Sequence, residues 1–331
     1  MHLMAEDMSA QYPLVSMLLL TYKQEWCVEK AIRRALAQDY SNLEIIISDD
    51  CSPDDTWGIV RRVVSGYKGS HKVILNRTDK NAGVVANVSS AMKRSSGEII
   101  VLAAGDDYSS LNRVSRVVSA FAAFENVTMV ESLENYVDRD GVEKLTSGSG
   151  VFSLVDSDPN EVVKRFPRFK GAVLAYHRCV IDDFDPLPDD AWAEDMILSF
   201  RACLKGRIVH IDEPLVYYRT DGGVSTGRSN AIEKSLRVNR GRMRCYEQIV
   251  QDIRSLSRND LSEAERVMEE NVERCRLFLD ALGGDAVMRR VSSAMQLLAQ
   301  GRASKRNVAV LVLSICPKSL RERLYKLWGN V

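Results

Sequence analysis

Short apolar runs alternate with helical stripes through the first third of the chain. Val15 to Leu20, Leu43 to Ser48, Lys72 to Asn76 and Glu98 to Ala103 are rich in Val, Ile and Leu and carry few charges, as strands covered on both faces do. Between the first two, Val28, Ala31, Ile32, Ala35 and Leu36 recur at helical spacing, and Val84, Val85, Val88, Ala91 and Met92 do so before the fourth. This βα alternation predicts an α/β fold, a Rossmann-type, mainly parallel sheet flanked by helices. "DCSPDDT" and "DKNAG" supply the loop chemistry between elements.

From about residue 125 to 225 the alternation loosens. "YVDRDGVEKL" predicts a hairpin turning at Asp140-Gly141. "DDAWAEDMILSFRACLKG" predicts a helix capped by Asp189 or Asp190, with Ile197, Phe200 and Leu204 as its buried stripe and Gly206 as its stop. Strands "RIVHI" and "PLVYYR" follow. Two long charged helical patterns, Ile232 to about Leu256 and Leu261 to about Leu282, predict an appended C-terminal helical region. The expected division is a tail over 1–12, an α/β domain over 13–225 with halves 13–110 and 111–225, and a helical region over 226–331.

Composition narrows the function classes. A chain of 331 residues buries a substantial core, and 45 Lys plus Arg balance 45 Asp plus Glu, so no global basic field exists to draw nucleic acid. The seven cysteines, Cys27, Cys51, Cys179, Cys203, Cys245, Cys275 and Cys316, are widely spaced and form no CxxC pair, as expected of reduced thiols. "MHLMAEDMSAQYP" resembles neither a secretory signal nor an anchor, and the apolar run Val308 to Leu313 is too short to span a bilayer. These features predict a cytoplasmic protein.

In an open parallel sheet the ligand crevice lies beyond the carboxyl ends of the strands. Three predicted strand ends carry polar groups there: Thr21-Tyr22, Asp49-Asp50 and Asp106-Asp107. No GxGxxG follows the first strand and no GxxxxGKS/T occurs, so a glycine-rich turn does not by itself cradle phosphate. Acids beside phosphates need a cation, and hard carboxylate oxygens suit magnesium or manganese. Taken alone, Asp106-Asp107 reads equally well as a cap before "YSSLNRV".

Three blocks in order resemble a known family. "PLVSMLLLTYKQEWCVEKAIRRALAQDYSNLEIIISDDCSPDDT", "NAGVVANVSSAMKRSSGEIIVLAAGDD" and "AEDMILSFRACLKGRIVHIDEPLVYYR" are similar to the nucleotide-sugar-dependent family 2 glycosyltransferases of GT-A fold, over roughly residues 13 to 225. The resemblance implies that Tyr22 stacks on the nucleotide base, that Asp50 accepts the base N–H, and that Thr21 and Asp106 hold the nucleoside and ribose. It implies Asp107 as ligand of Mn2+ or Mg2+ and Asp195 as the general base that activates an acceptor hydroxyl, with Glu194 raising its pKa and with inversion at the anomeric carbon. The implied donor is a nucleoside diphosphate sugar, UDP or dTDP by preference. A lipid-linked saccharide of bacterial surface polysaccharide or lipopolysaccharide synthesis fits as acceptor.

The chain departs from the family pattern at Leu20, Lys23, Ala104 and Asp221, the last standing where many members place His. Asn81, Gly83 and Asn87 fit a loop near the donor, and Trp192 offers a face to a sugar ring. Arg165, Arg168 and Lys170 are candidates for meeting a diphosphate, whereas His177 and His210 read as structural. Leu320, Leu324, Leu327 and Trp328 alternate with Lys318, Arg321, Arg323 and Lys326 in a basic amphipathic tail. Such a tail suits peripheral contact with the inner face of an anionic membrane, or packing on its own domain or on a second copy in a homo-oligomer. Two rivals stay open, a sugar nucleotidyltransferase and a non-catalytic nucleotide-sugar-binding scaffold of the same fold.

Overall fold

Strand pairing in the computed structural model follows the apolar runs closely. The model describes residues 12–138, 143–165, 169–220, 231–283 and 287–299, with 313, 316 and 320 besides. The strands are β1 (Val15–Thr21), β2 (Leu43–Asp49), β3 (Lys72–Arg77), β4 (Ile99–Ala104), β5 (Tyr108–Ser109), β6 (Val127–Val137), β7 (Glu143–Lys144), β8 (Phe152–Val155), β9 (Leu174–His177) and β10 (Arg207–Arg219). Their order across the sheet is β3-β2-β1-β4-β9-β6-β10-β5, with β7 on β6 and β8 on β10. β3, β2, β1 and β4 run parallel, with Val15 opposite Leu43 on one side and Ile99 on the other. β9 runs antiparallel to both β4 and β6, and β6 and β10 are again parallel.

Helices α1 (Val28–Leu36), α2 (Thr56–Ser65), α3 (Val84–Met92) and α4 (Arg113–Ala123) fill the connections. The stripe Val28, Ala31, Ile32, Ala35 and Leu36 is the buried face of α1, as its spacing requires. α5 (Glu194–Lys205) is buried on all sides, Ile197, Phe200 and Leu204 included. The expected cap at Asp189 or Asp190 does not form, because α5 begins at Glu194. Asp190 instead accepts from the Arg244 guanidinium at 3.0 Å. The expected strands "RIVHI" and "PLVYYR" are one strand, β10, whose register against β6 shifts between Ile211 and Val216. Pro214 has no N–H to give the ladder, which accounts for the irregularity. β6 and β7 pair as the hairpin pattern predicts; its turn at Asp140-Gly141 lies outside the described residues, as do the N-terminal tail before Tyr12, Arg168, Asp221 and most of the basic tail.

The chain divides into two compact units, Met1–Asp189 with Glu194–Ser225, and Asp190–Ala193 with Thr226–Val331. The second contains α6 (Ala231–Ser255), α7 (Ser262–Gly283) and α8 (Val287–Ala299). Leu277, Phe278, Ala281, Leu282 and Ala294 form its apolar cluster with Leu236 against it, and Arg254 of α6 bridges Glu265 and Glu269 of α7 at 2.6 and 2.5 Å. No helix among the described residues is long and apolar enough to cross a membrane.

One buried charge braces the parallel half. Glu44 in β2 is only 1% exposed and accepts from Ser16 Oγ (2.7 Å), the Ser96 N–H (2.5 Å) and Lys72 Nζ (3.0 Å). Burial pushes its carboxyl up, but these donors outweigh burial and hold it below its ordinary value. A lowered carboxylate contributes stability above its unfolded pKa and loses it as the pH falls. Glu44→Ala should therefore cost about 2 kcal/mol at neutral pH, since it strands the buried Ser16 hydroxyl and removes the acceptor of the Ser96 N–H, while the exposed Lys72 ammonium turns to water. Urea melts at pH 7 and pH 4 check this, and the deficit should shrink at the lower pH.

Candidate functional site

The turns that follow β1 and β2 hold each other in place. Thr21 ends β1 and is buried, its hydroxyl donating to Asp49 Oδ1 at 3.1 Å. Asp49 also accepts from the Ser52 N–H (2.9 Å) and Ser52 Oγ (2.5 Å) and pairs with Arg77 Nε at 3.3 Å, so it is committed to the turn. Lys23 and Cys51, just past the two strand ends, take left-handed φ of 55° and 54°. Residues of their kind adopt that conformation only where neighbours enforce it, and Lys23 N–H donates to Ser52 Oγ at 3.0 Å.

Asp50 turns toward the start of α3. Its carboxylate accepts from Thr78 Oγ1 (3.1 Å), Ala82 N–H (2.9 Å) and Gly83 N–H (2.8 Å). Gly83 has a φ of 95°, which explains glycine there. Asn81 is exposed on the loop that Asp50 anchors, and the side chain of Asn87 is spent on Ser48, accepting from Oγ at 2.5 Å and donating to the carbonyl at 3.1 Å. Tyr22 is half-buried beyond the end of β1, with Lys23 Nζ 5.2 Å from its ring centre.

The acid pair follows β4. Gly105 is favoured by close approach, since a Cβ would lie 2.9 Å from the buried Thr21 Cγ2 and 3.1 Å from the Leu20 carbonyl oxygen. Asp106 is half-exposed, whereas Asp107 is buried and its Oδ1 accepts the Arg219 N–H at 2.7 Å. Arg219 also donates through Nε to the Asp106 carbonyl (3.0 Å) and through Nη1 to the Asp138 carbonyl (2.9 Å), and its guanidinium lies 4.8 Å from the Trp26 ring centre. Burial raises Asp106 despite Arg219. Burial first and the Asp106 charge second push Asp107 up to about 7, against the Arg219 N–H and the Arg113 guanidinium.

Two crowded hard-oxygen carboxylates short of positive charge fit a magnesium or manganese ion. Among the described residues no group of three or more His, Cys, Asp or Glu side chains could hold one, so substrate and water oxygens would have to complete its shell.

Arg113, at the start of α4, is 1% exposed. It donates to Ser109 Oγ (3.1 Å), the Leu102 carbonyl (2.9 Å) and the Ala172 carbonyl (2.8 Å). Gly171, next to Ala172, donates its N–H to Asp195 Oδ2 at 3.0 Å, and a Cβ on it would lie 2.9 Å from Glu194 Oε1. One short turn thus ties the acid-pair loop to the start of α5. Burial raises Asp195 against the Gly171 and Met196 N–H groups. Glu194 is buried and pushed up to about 7 by burial and then by the Asp195 charge. The two acids are coupled, so the expected influence of Glu194 on Asp195 is one side of a mutual repulsion.

The structure brings Thr21, Tyr22, Asp50, Asn81, Gly83, Asp106 and Asp107 to one edge of the sheet and links Asp195 and Glu194 to it through residues 171–173. Trp192 belongs to the other compact unit, where its N–H donates to the Gly241 carbonyl at 3.1 Å. Sequence reasoning missed Arg113 and Arg219. Arg219 had a usable signal, since it ends "PLVYYR" as Thr21 ends β1; Arg113 had none.

Residues 16–170 match the glycosyl transferase family 2. The chain is 31% identical over 140 residues to WfaP of Escherichia coli, described as a UDP-Glc:alpha-D-GlcNAc-diphosphoundecaprenol beta-1,3-glucosyltransferase, covering 42% of this chain and 51% of that protein. It is 25% identical over 217 residues to an uncharacterized glycosyltransferase of Nostoc sp., covering 63% and 65%. The match thus spans less than two thirds of these relatives' lengths. S. aureus TarS in complex with UDP-GlcNAc superposes with a TM-score of 0.61 at 16% identity, over 96% of this chain and 87% of that one. The Pyrobaculum calidifontis mannosyltransferase PcManGT, solved with GDP-Man and Mn2+, gives 0.51 at 16% identity, over 97% and 88%. The fold is of GT-A type, and over residues 16–170 the sequence is similar to the glycosyl transferase family 2.

Proposed function

We propose that this protein transfers a sugar from a nucleoside diphosphate sugar, UDP or dTDP by preference, to a hydroxyl acceptor with inversion at the anomeric carbon. The observation that carries this is the 171–173 turn, which contacts both the Arg113 brace of the acid pair and the Asp195 carboxylate. Residues 13–110 take the donor and 111–225 the acceptor. Thr21 closes the floor of the nucleoside site, and the Tyr22 ring stacks on the base. The Asp50 carboxylate already accepts three hydrogen bonds. A carboxylate has about four lone-pair sites, so one is left for an imide N–H, and the same bonds preset the Asn81–Gly83 loop. The description of WfaP, with its UDP-Glc donor and diphosphoundecaprenol-linked acceptor, supports a UDP sugar and a lipid-linked saccharide of surface polysaccharide synthesis.

In the mechanism, Asp106 and Asp107 would hold the divalent ion. Asp107, the ligand expected from sequence, is turned inward onto the Arg219 N–H, so we assign the more exposed contact to Asp106. Bound there, magnesium or manganese would neutralise charge on the departing diphosphate. Asp195 takes the proton from the acceptor hydroxyl as the oxygen attacks the face opposite the leaving group. Its Gly171 hydrogen bond fixes which oxygen faces the acceptor. Burial and the neighbouring Asp195 charge push Glu194 up to about 7, so the pair readily holds one proton, which favours a negative charge on Asp195.

A panel of UDP, dTDP and GDP sugars with manganese or magnesium, scored for nucleotide release by slow hydrolysis, tests the donor without needing an acceptor. Metal-dependent release from a UDP or dTDP sugar is expected, and no release or binding from any donor would overturn the proposal. Asp106→Asn should abolish the manganese-dependent part of UDP affinity by calorimetry.

Asp195→Asn should lower turnover roughly a hundredfold or more, the scale of a lost general base, with donor affinity little changed. Single-turnover kinetics on a verified acceptor measure this, and near-normal turnover would move the base to another acid.

The Glu194 carboxyl also gives a stability signature. Its folded pKa of about 7 stands above the ordinary 4.5, so the folded state keeps a proton that the unfolded chain loses. Stability should therefore fall as pH rises through the window from about 4.5 to about 7. Glu194→Gln should flatten that slope and melt higher than the unaltered protein at pH 8, as read by calorimetric melts across the range.

A further inference from the structure

Beside Asp195 lies a second group of side chains to which the mechanism gives no work. Glu134 and Tyr136 share one face of β6, and Tyr218 of β10 pairs with Tyr136 across the parallel ladder. The two rings meet edge to face, 6.3 Å between centres at 82°. Lys170 Nζ stands 5.6 Å from both ring centres and forms an ion pair with Glu134, which also accepts from the Tyr136 hydroxyl at 2.8 Å. The Lys170 side chain is 51% exposed, so the cluster opens to solvent.

Its place along the chain is equally specific. Lys170 immediately precedes Gly171, whose N–H holds Asp195, and Tyr218 immediately precedes Arg219, whose N–H holds Asp107. Burial raises the Tyr218 phenol, and so do the charges of Asp107 and Asp106, which places it within their field.

We propose that Glu134, Tyr136, Lys170 and Tyr218 form an acceptor subsite that holds an uncharged sugar ring; this rests on the glycosyl-transfer reading above. The charges of Lys170 and Glu134 cancel, so the cluster lacks the net positive field that a phosphate would need. What remains outward is the chemistry of a hydroxylated ring. The tyrosine faces receive its C–H surface, and the ammonium, with three donors of which Glu134 takes one and the Tyr136 hydroxyl another at 3.5 Å, meets a ring hydroxyl with the third. A sugar seated there would have a neighbouring hydroxyl within reach of Asp195.

Saturation-transfer NMR on the full chain, with glucose, galactose, mannose, N-acetylglucosamine and their disaccharides as probes, tests this with and without UDP and manganese. At least one neutral sugar should receive saturation, and Tyr136→Ala and the surface change Lys170→Met should each weaken its binding about tenfold, the scale of one lost anchoring contact. Melting curves confirm that the variants fold, and Lys170→Met serves where Tyr136→Ala does not. The subsite is overturned if no probe receives saturation, if both variants bind the sugar as the unaltered protein does, or if inorganic phosphate or diphosphate rather than sugar loses binding in Lys170→Met. Failure of UDP to bind the unaltered protein would instead count against the donor assignment, while the sugar arm without UDP still decides the subsite.

Discussion

A single buried guanidinium fixes the geometry on which the site depends. Arg113 reaches the Leu102 carbonyl near the end of β4, the Ser109 hydroxyl in β5 and the Ala172 carbonyl. Those three points belong to the strand that delivers the acid pair, the strand that follows it, and the turn that holds Asp195. Burial lowers the Arg113 pKa to about 10, and the nearby Asp107 charge works against that fall, so the cation persists at any physiological pH. An isolated buried charge is costly. Here its cost is offset by three fixed hydrogen bonds and one carboxylate, and in exchange the acid-pair stretch and the 171–173 turn, distant in sequence, keep one spacing.

The nucleotide-side turns follow another logic. The adjacent acids of "SDDCS" divide the work: Asp49 turns to Thr21, Ser52 and Arg77, and Asp50, also buried, turns to the 78–83 loop. Because the left-handed Lys23 and Cys51 are held by neighbours before any ligand arrives, strain at these turns is met by the folded scaffold. Preorganisation of this kind reduces the ordering cost that ligand binding would otherwise carry.

Much of the fold was legible in the sequence, and the limits have physical causes. β1, β2 and β4 were readable almost to the residue because strands buried on both faces are nearly continuously apolar, whereas the edge strand β3 is only partly buried and keeps an apolar run at 73–75; β1, β2 and β3 end at Thr21, Asp49 and Arg77, where the ladder continues through polar side chains that hydropathy cannot register. β9 was not readable, since its four residues, Leu174–His177, carry no period long enough to mark a reversal between β4 and β6. The start of α5 was misplaced because a capping Asp is recognised by its neighbours in sequence, and Asp190 takes its partner from Arg244, 54 residues on. The paired acids could be picked out as types. That Asp107 faces inward and Asp106 outward depends on the Arg219 N–H, which arrives from 112 residues away. Arg113 had no local signature at all, because an arginine in the first turn of a helix ordinarily faces water.

The electrostatics of the site favour occupancy over emptiness. Asp106, Asp107, Glu194 and Asp195 all have their pKa values raised by burial, and at the acid pair Arg113 and Arg219 work against that rise without cancelling it. A fold tuned for stability alone would replace some of these acids with neutral residues. Keeping them leaves a group of acids that would repel a bare diphosphate and attract a cation, so under the proposed function donor and metal binding would reinforce each other. The same field does not extend to Lys170 and Glu134, which neutralise each other at the edge of the site. On the proposed reading, charge is concentrated where phosphate and proton would be handled and cancelled where an uncharged ring would rest, which would divide the crevice into a donor side and an acceptor side before either substrate is present.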